Sequence, residues 1–167
     1  MSKLTALALS IAVLGGVWAF VALNPLASVA LVWVGFIAWG CYFHTGGDDA
    51  ALQKTIAGMI FGAVMAGVAL YLVNAGALAG LGALSAPVII AVTVFPLVIL
   101  AGNNLLSVVP ANVYGYAATA GLALTAGTAA NATLMDMTNP VLLVAVSTVL
   151  GAVFGMVSGK VAGMLGK

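Results

Sequence analysis

The chain has 167 residues, of which 65% are hydrophobic and only 4% charged, with a net charge of +1. A soluble domain carries about a quarter of its residues charged, so a soluble fold is excluded and an integral membrane protein is expected. The charges are Lys3, Asp48, Asp49, Lys54, Asp136, Lys160 and Lys167; they form no basic patch, which excludes nucleic acid as a partner.

In chain order, hydrophobic runs broken by polar or Gly/Pro punctuation predict six spans. The first, 4–23, is the run LTALALSIAVLGGVWAFVAL, ended by Asn24-Pro25. Lys3 before it and LASVA after it imitate a signal peptide, but about twenty apolar residues suffice to span, so a retained first span is expected. The second, 27–43, ends at HTGGDD, and the third, 53–73, at Asn74. The fourth is 87–102, the fifth 106–127 and the sixth 140–165. With the N-terminus inside, all four lysines lie on the cytoplasmic side and Asp136 alone lies outside, as the positive-inside rule requires. Both termini are therefore expected in the cytoplasm, in a single transmembrane domain covering 1–167.

Small residues recur at every fourth position. The sixth span carries Ser147, Gly151, Gly155, Gly159 and Gly163, the third Gly58, Gly62 and Ala66, and the fifth Gly115, Thr119, Ala123 and Gly127. Such stripes let helix backbones approach where lipid supplies no hydrophobic drive for association. They predict tight packing, and their extent predicts a homo-oligomer. GMIFGAVMAG (58–67) also aligns with STVLGAVFGM (147–156), and GFIAWGCYF (35–43) with NVYGYAATA (112–120). Three spans per half would make this an inverted repeat, an architecture that places solute paths at the repeat interface. The alternative is that Gly/Ala/Val-rich helices resemble one another by composition.

The stretch NNLLSVVPANVYGYAATAG (103–121) concentrates polarity in this apolar chain. Tyr42 and Tyr71 sit at span ends, as interfacial aromatics do, whereas Tyr114 and Tyr116 lie roughly 12–15 Å into the fifth span. After Pro110, Asn112, Tyr116 and Thr119 share a helical arc of about 60°. Phe36 and Trp39 of the second span would form the wall opposite, and Asn103 and Asn104 the cytoplasmic entrance. The competing reading is that these polar groups hold helices together. Cys41, His44, Asp48 and Asp49 lie close in sequence, a spacing that suits a metal, a proton sensor or an ordinary cytoplasmic loop. No charged residue lies mid-span, which disfavours ion-coupled carriers and pumps. The only histidine, in a loop, leaves no basis for a Ser/His/Asp set, and no nucleotide-binding loop is present. One cysteine leaves neither a disulfide nor a Cys-based metal cage. An enzyme is not expected, nor a cofactor or metal.

SIAVLGGVWAFVAL (10–23) and SVVPANVYGYAATAG (107–121) resemble the YcdZ-like family of small bacterial inner-membrane proteins of unknown function. The resemblance spans most of the chain in order and is most specific from Pro110 to Gly121. It implies a bacterial inner-membrane location and one compact domain, and it transfers no site residue. The architecture is also reminiscent of urea, acetate and formate channels, without their signature residues.

The expectation is thus an all-α membrane protein of six transmembrane helices, arranged as two inverted three-helix repeats. Its expected function is a passive channel for a small neutral or weakly polar solute, such as urea, a short amide or a neutral weak acid. Asn112, Tyr114, Tyr116, Thr119, Asn103, Asn104, Phe36 and Trp39 would line the path. Gly58, Gly62, Ser147, Gly151, Gly155, Gly159 and Gly163 would pack helices. The alternative is a structural or accessory membrane protein that transports nothing.

Overall fold

The computed structural model describes residues 1–167 and contains no strand. Six α-helices follow in order: α1 Lys3–Leu23, α2 Val32–His44, α3 Asp49–Asn74, α4 Ser85–Ile99, α5 Val109–Thr125 and α6 Pro140–Leu165. Short 3₁₀ turns at Ala79–Leu84, Leu100–Gly102, Asn104–Leu106 and Ala129–Thr133 fill the connections.

Local chemistry sets the helix ends. Ser2 accepts from the Thr5 amide, Asp48 from Ala51 and Asn139 from Val141, each satisfying a donor that its helix leaves free. Pro110 and Pro140 occupy first-turn positions, where the missing N–H costs nothing. Asp48 carries α3 back to residue 49, four positions before the expected start at 53.

Four stretches are long and apolar enough to cross a membrane: Lys3–Leu23, Asp49–Asn74, Ala79–Gly102 and Pro140–Leu165. Two expected spans are shorter as helices than the sequence suggested. Residues 24–29 form turns around Pro25, so α2 has only 13 residues, roughly 20 Å at 1.5 Å each. In α5, 17 residues make roughly 25 Å, still under the ~30 Å of a hydrocarbon core. Pro96 lies inside α4, three residues from its end.

Helices α2, α3, α5 and α6 form the centre, with α1 laid on α6 and α4 on α3. The most extensive pairings are α3 with α5 and α2 with α6, and α3 also runs against α6. Two buried layers tie the four central helices together. One joins Val34, Ala63, Ala118 and Val144; the other joins Ala38 and Cys41 to Met59, Ala111 and Ala152. Nearly all are small, so the centre closes by backbone proximity.

Glycine decides both main crossings. A methyl group on Gly62 would overlap the carbonyl oxygen of Asn112, and one on Gly115 would overlap that of Met59. At the other crossing, a methyl group on Gly151 would overlap the carbonyl oxygen of Gly35. Backbones this close exchange dispersion and weak Cα–H contacts that no larger residue permits.

Candidate functional site

The polar stretch folds into the start of α5, where it meets α3 and α4. Asn112 is fully buried. Its Nδ2 donates to the carbonyl of Leu97 at 2.8 Å and to that of Leu106 at 3.0 Å. Both acceptors lie where a helix or 3₁₀ turn ends and carbonyls are left over. One side chain therefore ties α5 to the end of α4 and to the turn between them. Its Oδ1 lies against Gly58, where an added Cβ would sit 2.7 Å away.

Tyr116 is 9% exposed and its hydroxyl pairs with Thr93 Oγ1 of α4 at 2.9 Å. Thr93 Oγ1 also donates to the Ile89 carbonyl at 2.9 Å. A phenol at this depth needs such a partner, and α4 supplies it. Thr119 is fully buried, with no partner for its Oγ1. The main surface grooves are lined by other residues than these three.

Tyr114 faces the other way. Its hydroxyl lies 3.5 Å from His44 Nδ1, with the rings edge-on at 6.4 Å, and links α5 to the end of α2. Asn103 and Asn104 are exposed. Asn103 Oδ1 accepts from the Leu105 amide, and the Asn104 carbonyl accepts from Ser107, so the pair shapes the loop itself.

Phe36 and Trp39 do not stand opposite Asn112. They stack on each other at 5.8 Å on the α1–α6 side of α2. Phe36 approaches Gly15 of α1, and Trp39 Nε1 donates to Ser158 Oγ of α6 at 3.0 Å. The helical period explains the correction: Gly35, three residues after Val32, turns its bare face to α1 and α6, and the adjacent aromatics follow it.

The small residues behave as packing positions over most of their length. Gly58 and Gly62 meet α5, and Gly151 meets Gly35. Gly155 faces Trp39 and Tyr42, where a Cβ would lie 3.1 Å from each ring. Gly159 touches the Phe43 ring. Ser147 does more than fit: its hydroxyl accepts the Leu31 amide at 2.8 Å, capping α2 from across the bundle. Gly163 has nothing within 4 Å of an added Cβ, so the stripe ends in open space.

Sequence reasoning missed Trp18, Thr93 and Ser158. Trp18 is fully buried over Gly35 and donates to the Val32 carbonyl at 3.0 Å. Ser158 receives Trp39, and its carbonyl accepts from Ser10 at 2.9 Å. A lone Ser, Thr or Trp in an apolar run was the only available signal.

Cys41, His44, Asp48 and Asp49 do not assemble. Cys41 is buried beside Thr55 Oγ1 at 3.7 Å, Asp48 caps α3, and His44 and Asp49 are exposed. No group of three or more His, Cys, Asp or Glu is placed to hold a metal. In the loop before α6, Thr138 donates to Asp136 Oδ1 through its hydroxyl at 2.6 Å and its amide at 2.8 Å. Those bonds hold the exposed carboxyl below the usual carboxylate range.

Fold and site together define an all-helical protein whose apolar helices suit a membrane and whose buried polar side chains join helix to helix. The chain belongs to a family of proteins of unknown function, DUF1097, whose profile matches residues 8–163. No curated protein and no solved structure matches it.

Proposed function

We propose that the chain is a six-span, bacterial inner-membrane protein of two inverted three-helix repeats, of the YcdZ-like kind, that acts through packing and assembly with other copies. Solute passage through the single chain is not its role. The observation that carries this reading is the use of the polar stretch. Asn112 is bound to two carbonyls and Tyr116 to Thr93, all in a buried setting. A solute filter would need these donors facing a wet path.

The repeat is supported by the two crossings. The register read from the sequence lays Gly35 on Asn112 and Gly62 on Gly151. It carries the Gly62–Asn112 approach onto the Gly151–Gly35 approach. The same register carries Val34, Ala63 and Ala118 of one layer onto Ala111, Ala152 and Cys41 of the other. Exchanging the halves also carries the α2–α6 pairing onto α5–α3, and α1–α6 onto α4–α3. With an odd number of spans in each half, the repeats face opposite ways and both ends of the chain lie on one side, which the lysine distribution makes the cytoplasmic one.

A second reading, a passive facilitator for a small neutral solute, is favoured by one observation. Asn112 Oδ1, Thr119 Oγ1 and Thr148 Oγ1 are buried without a protein partner, and each orphaned acceptor has a cost. Stopped-flow light scattering of proteoliposomes decides between the readings. With folded protein present, permeability to urea, acetamide, glycerol and acetate should match protein-free liposomes. A selective rise that Tyr116→Leu abolishes would establish the facilitator instead.

A further inference from the structure

We propose that the groove between the start of α1, the end of α6 and the turn after α2 binds the headgroup of an anionic phospholipid. The groove has a volume of about 320 Å³ and is lined by Lys3, Leu7, Phe43, Gly47, Gly159 and Gly163, among others. Its walls stay open because glycines build them. An added Cβ at Gly163 or Gly46 would meet nothing within 4 Å, and Gly46 and Gly47 hold φ values of +126° and +72° that side-chain-bearing residues rarely adopt.

The charge and the apolar wall together select the occupant. Lys3 is the one charged residue lining the groove. The Lys3 and Leu4 amides, in the first turn of α1, have no helical acceptor and add partial positive charge at this end of the helix. Two acids, Asp48 and Asp49, follow the turn beside the groove, but neither lines it, and Asp48 is turned to the Ala51 amide at 2.7 Å. Beside the ammonium, Leu7 and Phe43 offer apolar contact, and exposed Leu4 and Met164 continue that surface outside. A free phosphate would use only the first half of this arrangement. A lipid phosphate with acyl chains descending along α1 and α6 uses both.

Placement agrees with the chemistry. Helices α1 and α6 are both long enough to cross a membrane, and Lys3, Lys160 and Lys167 share one end of them. The Lys167 amide donates to the Met1 carbonyl at 3.1 Å, which brings these ends together. That end therefore sits at headgroup level, where basic pockets between helices take anionic lipids.

The test uses the full chain in detergent, titrated with dioleoyl phosphatidylglycerol or with dioleoyl phosphatidylcholine, and reads the melting temperature. Phosphatidylglycerol should raise it by several degrees and phosphatidylcholine should not. Lys3→Gln should remove most of that rise. Gly163→Leu should fill the groove and abolish the rise without lowering the melting temperature in phosphatidylcholine. Lys160→Gln, outside the groove, should keep it. Equal rises with both lipids, a rise unchanged in Lys3→Gln or Gly163→Leu, or an equal loss in Lys160→Gln would overturn the site.

Discussion

The two glycine crossings of this chain solve the same problem with different chemistry. Where α3 meets α5, the position facing Gly62 is Asn112, whose side chain reaches the Leu97 and Leu106 carbonyls. Where α6 meets α2, the position facing Gly151 is Gly35, and Trp18 of α1 fills the space that a side chain would take. In the first case the outer helix is tied by hydrogen bonds. In the second it is tied by an indole ring that also finds a carbonyl, that of Val32. Lipid cannot drive helices together by hydrophobicity. The contrast shows that close backbone contact fixes the core, and that either a polar or an aromatic side chain can then anchor the outer helix.

The largest effects should come from the crossings themselves. Gly62→Leu and Gly151→Leu each force a side chain into a facing backbone and should destabilise by about 3 kcal/mol, the upper end of ordinary overpacking. Thermal unfolding in detergent would check this, and a wild-type melting temperature in either variant would contradict the packing. Trp18→Ala should follow closely, at about 3 kcal/mol, because it empties the space over Gly35. Asn112→Leu should cost less, about 1–2 kcal/mol, since transmembrane hydrogen bonds contribute modestly. Tyr116→Phe removes one hydroxyl pair and should cost about 0.6 kcal/mol. If Asn112→Leu proved costlier than Trp18→Ala, the balance between the two anchors would be reversed.

Gly40→Ala gives the opposite sign. An added Cβ at this exposed position in α2 meets nothing within 4 Å, so Ala should stabilise by about 0.5–1 kcal/mol. The smallest effect concerns Asp136. Its carboxyl is depressed by the Thr138 bonds, so its contribution is present above the unfolded carboxylate pKa and lost as pH falls through the lower folded value. Protection of the Thr138 amide, measured against its intrinsic exchange rate at each pH, should fall over that acid range, and Asp136→Asn should remove the pH dependence.

Much of the helical pattern was legible because helix ends are written locally. Asn24-Pro25 and Asn139-Pro140 each mark an end that the structure keeps, whereas Asp48 and Pro110 set starts at 49 and 109 that the expected spans, beginning at 53 and 106, did not place. The length of α2 was not legible: LASVA is as apolar as a helix, and only the capping of Leu31 by Ser147, 116 positions away, shows where the helix begins. Gly58, Gly62, Gly151 and Gly155 were readable as packing residues because their spacing is regular. The destination of Asn112 and Tyr116 was not, since the same arc suits a solute or a neighbouring helix. Their partners, the Leu97 carbonyl and Thr93, belong to a helix that no local pattern connects to them.

Water access to the buried face of α5 tests the central claim most directly. In a Cys41→Ala background, Thr119→Cys would be reacted with a small, membrane-impermeant thiosulfonate from each side of reconstituted vesicles. The closed core predicts no labelling from either side until the protein is denatured, with Asn104→Cys labelling readily as the exposed control. Labelling of Thr119→Cys in the folded protein at a rate near that of the control would mean that this face is wet, and would contradict the reading of the polar stretch as a helix-to-helix tie.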